Sequence, residues 1–310
     1  MPVYNSMRFL PHVIAQLLAA GRRRRHVEFI FVDNGSSDGS DAYLRGLGED
    51  TQVLSKPGVS ISALRNFAVG FARGDYVSFL DSDCLIDDAY FDAALDDIRE
   101  SGACATGHEY DLPEQSGWIE LVWHELHYRS HAQDVQYLNG GNFFVKRTAF
   151  QLVGGFREDL WTGEDAELGQ RLNAARERIH ANPKVRAVHL GNPKTLLQFF
   201  RRQAWHGVGM FGTVGMRGVD RPTAMLAIHI ATTITGVVLL IVSSLPLYTR
   251  IPLTIGSQLV VPATTVAYRL IGRRTWRSVL PGTFLYWLYY WARIMALGII
   301  VTGRAQRWHK

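Results

Sequence analysis

Three groups of carboxylates, far apart in the chain, have the types and spacing to do chemistry together. Asp81-Ser82-Asp83 ends a short apolar run, Tyr76-Val77-Ser78-Phe79-Leu80, that reads as a buried strand. Alternate residues of an extended backbone point the same way, so both carboxylates would leave one strand end side by side. Oxygen ligands so placed suit a hard divalent cation, and such a cation suits the charge of a diphosphate. Acidic turns are common, so the triplet gains weight only from its partners. Those are Asp33, ending an earlier strand, and Glu164-Asp165, opening a later helix.

The elements that must position these groups alternate. Helical spacing over 7–20 is followed by a basic run, Arg22 to Arg25, read as a solvated helix end, and by a strand over 28–32. Asp33-Asn34-Gly35-Ser36-Ser37-Asp38-Gly39 is dense turn chemistry with helix N-cap candidates. Helices over 40–47 and 60–72, with strands over 51–54 and 76–80, continue the pattern. Such alternation predicts a Rossmann-like, mainly parallel sheet covered on both faces. Ligands of such sheets sit beyond the C-terminal strand ends, where Asp33 and Asp81 both lie. Further on, the spacing predicts helices over 88–100, 115–131 and 164–178. It predicts strands over 103–110, over 137–146 with a break at Gly140-Gly141, and over 185–190.

Charge divides the 310 residues in two. Residues 1–193 carry 19 Lys or Arg against 27 acids, a net of −8, whereas 194–310 carry 14 against one, Asp220, a net of +13. The basic part also holds the long apolar runs, which points to an anionic membrane surface; no zinc spacing or recognition-helix signature supports a nucleic-acid partner. Residues 194–222 read as an amphipathic interfacial segment, 223–303 as membrane-spanning helices, and 304–310 as a basic tail. Within 223–303, the run 224–245 passes the length test for a span. The run 251–271 is a second candidate despite Pro252, Pro262, Gln258 and Arg269, and 279–302 a third, with Arg293 inside it. Two spans are expected and three are possible. With the first half cytoplasmic at an inner membrane, Arg269, Arg273, Arg274 and Arg277 fall inside after two crossings, as the positive-inside rule asks. Cys84 and Cys104 form no disulfide framework, and no signal peptide is read at Met1-Pro2-Val3-Tyr4-Asn5, which goes straight into a turn.

With these motifs in order, residues 1–193 resemble a known family. Asp33-Asn34-Gly35-Ser36-Ser37-Asp38, Ala63-Leu64-Arg65-Asn66, Asp81-Ser82-Asp83, Gly140-Gly141-Asn142, Gly154-Gly155-Phe156 and Glu164-Asp165 occur in the sequence seen in family 2 glycosyltransferases. These are inverting enzymes of GT-A fold that use nucleotide-diphosphate sugars. Members usually begin with an apolar strand ahead of the segment matching Pro2-Val3-Tyr4-Asn5, so a first, central strand is expected to be missing here. Processive members carry Gln-x-x-Arg-Trp; here Gln198-Phe199-Phe200-Arg201 is followed by Arg202, which argues for transfer of a single sugar.

The resemblance implies roles. Asp165, with Glu164, would act at the acceptor, Asp165 as general base; helix capping is the alternative. Asp33 would accept from the nucleotide base, or else only cap its turn. Pro2, Tyr4, Arg65 and Asp81 would complete the donor-nucleotide site, Arg65 toward the phosphates unless it is a helix-surface arginine. Asp83, with Asp81 through water, would hold Mg²⁺ or Mn²⁺, and His189 is a further ligand or a structural histidine. Gly140, Gly141, Asn142 and Trp161 would face the sugar or acceptor. Trp118, Trp123, His124 and His127 line an acceptor groove or form a packing stripe. The implied partners are a UDP-sugar or similar donor, a lipid-linked or cell-envelope glycan acceptor, and membrane lipids. Two other readings are a sugar-phosphate nucleotidyltransferase, which lacks its Gly-rich basic loop here, and a catalytically degenerate membrane protein.

Overall fold

The computed structural model describes all residues except 23–25, 161, 218–219, 274 and 303–310. The expectations for Trp161, for Arg23 to Arg25, for Arg274 and for the tail 304–310 lie outside the described residues. In chain order the elements begin β1 (Pro2–Val3), α1 (Leu10–Arg22), β2 (Phe29–Asp33), α2 (Ser40–Arg45), β3 (Thr51–Ser55), α3 (Ile61–Val69) and β4 (Tyr76–Leu80). They continue β5 (Cys84–Ile86), α4 (Tyr90–Ser101), β6 (Ala105–Gly107), α5 (Trp118–His127), β7 (Gln133–Asp134), β8 (Asn142–Lys146), α6 (Arg147–Leu152) and α7 (Glu164–Ala174). Last come β9 (Ile179–Ala181), β10 (Ala187–His189), α8 (Leu196–Arg217), α9 (Arg221–Val242), α10 (Leu247–Arg269) and α11 (Val279–Val301). Two compact units result: Met1–Gln115 with Tyr128–Asn192, and Ser116–His127 with the chain from Pro193 onward.

The first unit has a mixed sheet system, not the mainly parallel one expected. β1, β2 and β3 pair in parallel in that order. Beyond them the order is β4-β8-β6-β9-β7, in which β8 runs antiparallel to both β4 and β6, and only β6 and β9 are parallel. β5 and β10 form an antiparallel pair. The strand–helix alternation held only as far as β4. After it, β8 enters from the irregular segment around Gly140-Gly141 and wedges between β4 and β6. Its Asn142, Phe143, Phe144 and Val145 are all buried, as a strand covered on both faces requires.

Several boundaries moved for local reasons. The strand expected over 137–146 begins only at Asn142, and that over 103–110 spans only Ala105–Gly107. α7 ends at Ala174 because Arg176 turns left-handed, with φ of 61°. Pro2-Val3, expected in a turn, is extended and pairs with Val32 and Asp33. β1 covers only that end of β2; the Met1 ammonium donates to the Ile30 carbonyl at 2.8 Å, and burial lowers its pKa to about 5. β2 and β4 do not pair with each other. They wall an apolar cavity of about 730 Å³ lined by Phe29, Phe31, Val77, Phe79, Phe91 and Phe144 among others.

The second unit gathers α5 with α8–α11. α9 and α11 are long and apolar enough to cross a membrane. The run over 251–271, ranked second from sequence, falls in α10, which carries Arg250 as well as Pro252, Pro262 and Arg269 and does not meet that test. α9 starts cleanly because the Asp220 carboxylate accepts from the Thr223 N–H at 3.0 Å and Pro222 fills the first turn. For α5 the packing reading holds at two positions. Trp123 lies against Phe199 and Tyr286, and the His127 ring meets the Tyr286 hydroxyl at 3.1 Å.

Candidate functional site

The site is assembled around one buried cation. α3 begins where the Ser60 hydroxyl accepts from the Ala63 N–H, and its first turns point Arg65 inward, 2% exposed. Arg65 Nη2 donates to Asp81 Oδ1 at 2.8 Å and Nη1 to Glu164 Oε1 at 2.7 Å. Burial alone would lower the guanidinium pKa; Asp81 and Glu164 more than reverse this. Arg65 is thus no helix-surface arginine. It ties the end of β4 to the start of α7, two segments 83 residues apart in sequence. Removing one partner of such a buried pair typically costs about 3–5 kcal/mol.

Asp165 shares the N-terminus of α7 but not the ion pair. Its Oδ1 accepts from the Ala166 N–H at 2.7 Å and its Oδ2 from the Gly140 N–H at 3.3 Å. Burial first, and then the neighbouring Glu164 charge, push its pKa up to about 7; the two N–H groups and Arg65 oppose that rise. The carboxylate thus satisfies one free N–H of the first turn of α7, whose N-cap is Gly163, while its pKa is raised.

Gly140 and Gly141 are glycines because other side chains occupy the space. A Cβ at Gly140 would sit 2.6 Å from Arg65 Nη1, and one at Gly141 would sit 2.1 Å from Asp81 Oδ2. Their closest approach is thus to the arginine–carboxylate pair. Asn142, expected to face a sugar, instead points into the core. Its amide donates to the His108 and Val185 carbonyls at 3.2 and 3.0 Å and accepts from the Tyr90 hydroxyl at 3.0 Å. A residue fully buried with its hydrogen bonds satisfied there is a structural pin.

Beside this cluster, Asp83, Cys84 and His189 bring potential ligand atoms within 4.8 Å of one another. His189 Nε2 lies 3.4 Å from Asp83 Oδ2. A Cβ at residue 191 would stand 2.1 Å from that same oxygen, so Gly191 keeps the approach to Asp83 open. The carboxylate suits either Mg²⁺ or Mn²⁺, and an imidazole beside it favours Mn²⁺ over the oxygen-seeking Mg²⁺. The Cys84 thiol is pushed well above its usual pKa by burial, then by Asp81 and Asp83, so it stays protonated and is a poor ligand for a hard ion.

Asp33 stands outside the hydrogen-bonded cluster. Its Oδ2 accepts from the Gly35 and Ser36 N–H groups at 2.8 and 3.0 Å, the capping role. Its Oδ1 is buried without a hydrogen-bond partner. Pro2 is buried and Tyr4 is 53% exposed. The turn that carries them is tied to the acidic triplet through the Ser6 hydroxyl, 2.7 Å from that of Ser82.

Sequence reasoning missed Tyr110. Its hydroxyl accepts from the Gly141 N–H at 3.1 Å and donates to Asp81 Oδ2 at 3.4 Å, while its ring lies 4.8 Å from that of His189. One phenol thereby touches both halves of the site. No periodicity or motif around position 110 signals this.

Comparisons with known proteins agree with the geometry. Residues 1–154 match Glycosyl transferase family 2. The glycosyltransferase GlyA of Streptococcus pneumoniae serotype 4 is 29% identical over 121 residues, 38% of this chain and 17% of its own. The pre-mycofactocin glycosyltransferase of Mycobacterium tuberculosis is 25% identical over 295 residues, 90% of this chain and 57% of its own. The chain therefore spans between about a sixth and somewhat over half of the lengths of these curated relatives. Among solved structures, the mannosyltransferase PcManGT of Pyrobaculum calidifontis, in complex with GDP-Man and Mn²⁺, has a TM-score of 0.61 at 15% identity. That likeness covers 96% of this chain and 84% of PcManGT, and at this identity it speaks to the fold. By fold and family match together, the chain has a family 2-like, GT-A-like glycosyltransferase fold with two candidate membrane-spanning helices.

Proposed function

We propose that the chain is a membrane-bound inverting glycosyltransferase that moves one sugar from a nucleotide-diphosphate donor to a hydroxyl of a lipid-linked or cell-envelope glycan. The observation that carries this reading is the split between two adjacent carboxylates. Glu164 is engaged by Arg65 at 2.7 Å, while Asp165 is desolvated beside it with a pKa near 7. A carboxylate so tuned suits a general base at neutral pH.

In this reading Asp33 Oδ1, buried and unpartnered, accepts from the base edge, and Tyr4 covers the nucleoside. Asp81 is oriented by Arg65 and Tyr110 toward the ribose side of the donor. A divalent cation, Mg²⁺ or Mn²⁺, held by Asp83 and His189 would neutralise the negative charge that grows on the leaving diphosphate. Asp165 takes the proton of the acceptor hydroxyl as its oxygen bonds to the anomeric carbon. The bond from that carbon to the diphosphate breaks, and the nucleoside diphosphate leaves with the electron pair. Attack opposite the leaving group inverts the centre. GDP-Man and Mn²⁺ in PcManGT support the donor class and the metal, and a UDP-sugar remains the first donor to test. The catalytic unit faces the cytoplasm at the inner membrane, where lipid-linked acceptors are met in two dimensions.

Donor hydrolysis tests this without knowledge of the acceptor. Purified protein with Mn²⁺ is expected to split UDP-sugars or GDP-mannose slowly. Asp83→Ala should remove the metal dependence of nucleotide binding. Asp165→Asn should lower turnover by roughly 10²–10⁴-fold at unchanged nucleotide affinity. Full turnover in Asp165→Asn would place the base elsewhere.

A further inference from the structure

The second unit holds a buried positive charge that its own residues leave unanswered. Arg293 lies within α11, eight residues before Val301, so roughly 12 Å along the axis from that helix end. It is 7% exposed. Nη2 donates to Gln203 Oε1 of α8 at 3.4 Å, a long bond, and the guanidinium carbon stands 4.6 Å from the Tyr289 ring centroid. Nε and Nη1 are buried without a hydrogen-bond partner. α8 makes room for the group: a Cβ at Gly207 would come within 3.2 Å of Arg293 Cδ and 3.4 Å of Nη1.

The acids of this unit are engaged elsewhere. Glu120 accepts from the Gly117 N–H, Glu125 from the Ser278 hydroxyl, and Asp220 caps α9. Arg202 adds positive charge. One turn along α8 from it, the His206 imidazole is kept neutral by desolvation and then by the Arg293 and Arg202 charges. Arg202 is half-buried and His206 exposed, so the group has an open edge. An arginine inside an apolar helix is disfavoured unless an anion completes it. Among the described residues of this unit no acid does so, and the anion available beside two membrane-length helices is the phosphate of a lipid.

We propose that Arg293, with Gln203 beside it and Arg202 and His206 at its rim, binds the phosphate group of an anionic lipid. The guanidinium supplies donors from Nε and Nη1, Arg202 at the rim supplies further positive charge, and the His206 imidazole offers a neutral hydrogen bond. The site goes beyond the sugar-transfer reading, because lipid binding is measured without turnover. The phosphate has two sources, a bulk phospholipid or an isoprenoid phosphate carrier, and the test separates them.

The full chain, stripped of lipid in neutral detergent, is titrated with phosphatidylglycerol, a polyprenyl monophosphate or phosphatidylcholine, and retained lipid is read by native mass spectrometry. Either anionic lipid is expected to bind about tenfold or more tightly than phosphatidylcholine. Preference for the polyprenyl phosphate identifies a carrier site; preference for phosphatidylglycerol identifies a bulk-lipid site. Arg293→Gln should reduce anionic lipid to the phosphatidylcholine level, and Arg293→Lys should retain part of the preference. Equal retention of all three lipids by the unaltered protein overturns the proposal, whatever the variants do. Undiminished anionic binding in Arg293→Gln overturns it as well.

Discussion

Asp165 is desolvated beside the ion-paired Glu164, and the pH dependence of transfer should report this. A base with a pKa near 7 is protonated below that pH, so kcat/KM should fall about tenfold per pH unit below roughly pH 7 and level off above it. Glu164→Gln removes a like charge that raises the Asp165 pKa and leaves Arg65 freer to favour ionised Asp165. Both effects have one sign, so the acid limb should move to lower pH in that variant, read from a pH–rate profile of donor hydrolysis. A limb that stays in place would dissociate Asp165 from the profile. Tyr110 belongs to the same scale. Tyr110→Phe keeps the ring against His189 but leaves the Gly141 N–H and Asp81 Oδ2 without its hydroxyl. Losing such bonds at about 1 kcal/mol each predicts a roughly fivefold to thirtyfold rise in donor KM with a smaller change in kcat. Unchanged donor KM would make Tyr110 a bystander.

Between residue and whole chain, the weak point is the gap between β2 and β4. β1 covers only Val32 and Asp33, β4 ends its own sheet, and an apolar cavity of about 730 Å³ lies between strands that do not pair. Unpaired strand edges and unfilled apolar volume both destabilise. Five apolar residues of high β propensity, engineered ahead of Met1, would extend β1 into this gap. Burying even two of them stabilises by about 3–6 kcal/mol, which for a unit of this size raises the thermal midpoint by roughly 6–20 °C. No rise on differential scanning would show that the gap does not accept a strand. Local backbone rules sufficed to place Asp81 and Asp83 at a strand end. Sheet direction was not legible, because the insertion of β8 between β4 and β6 is decided by tertiary packing. The Arg65 bridge was invisible for the same reason: its two partners lie 16 and 99 residues away. Asn142 was misread because a Gly-Gly-Asn run looks like an open loop until the asparagine is seen pinned at the start of β8.

For the chain as a whole, the question is how often it crosses the bilayer, and two rules disagree. Length and apolarity select α9 and α11; α10, with Gln258, Ser257 and several threonines between Arg250 and Arg269, is less apolar and is not selected. If only α9 and α11 cross, the connection carrying Arg273 and Arg277 lies on the far side from Asp220, against the positive-inside rule. The basic residues Arg304, Arg307 and Lys310 then return to the near side, which satisfies it. If α10 also crosses, the two groups exchange sides. Arg250 weighs against that crossing. Its Nη1 donates to the Leu240 carbonyl of α9 and its Nε is buried without a partner, a charge held by neighbouring helix backbone and poorly suited to lipid. The two-crossing arrangement predicts that cysteines placed by Ser244→Cys and Arg277→Cys, both at exposed positions, are labelled by an impermeant maleimide from outside intact cells. The native background is low because Cys84 and Cys104 are buried. Labelling at 244 with protection at 277 would mean that α10 crosses too. Protection at both would place the catalytic unit outside or α9 on the surface, and the assignment to a cytoplasmic face would fall with it.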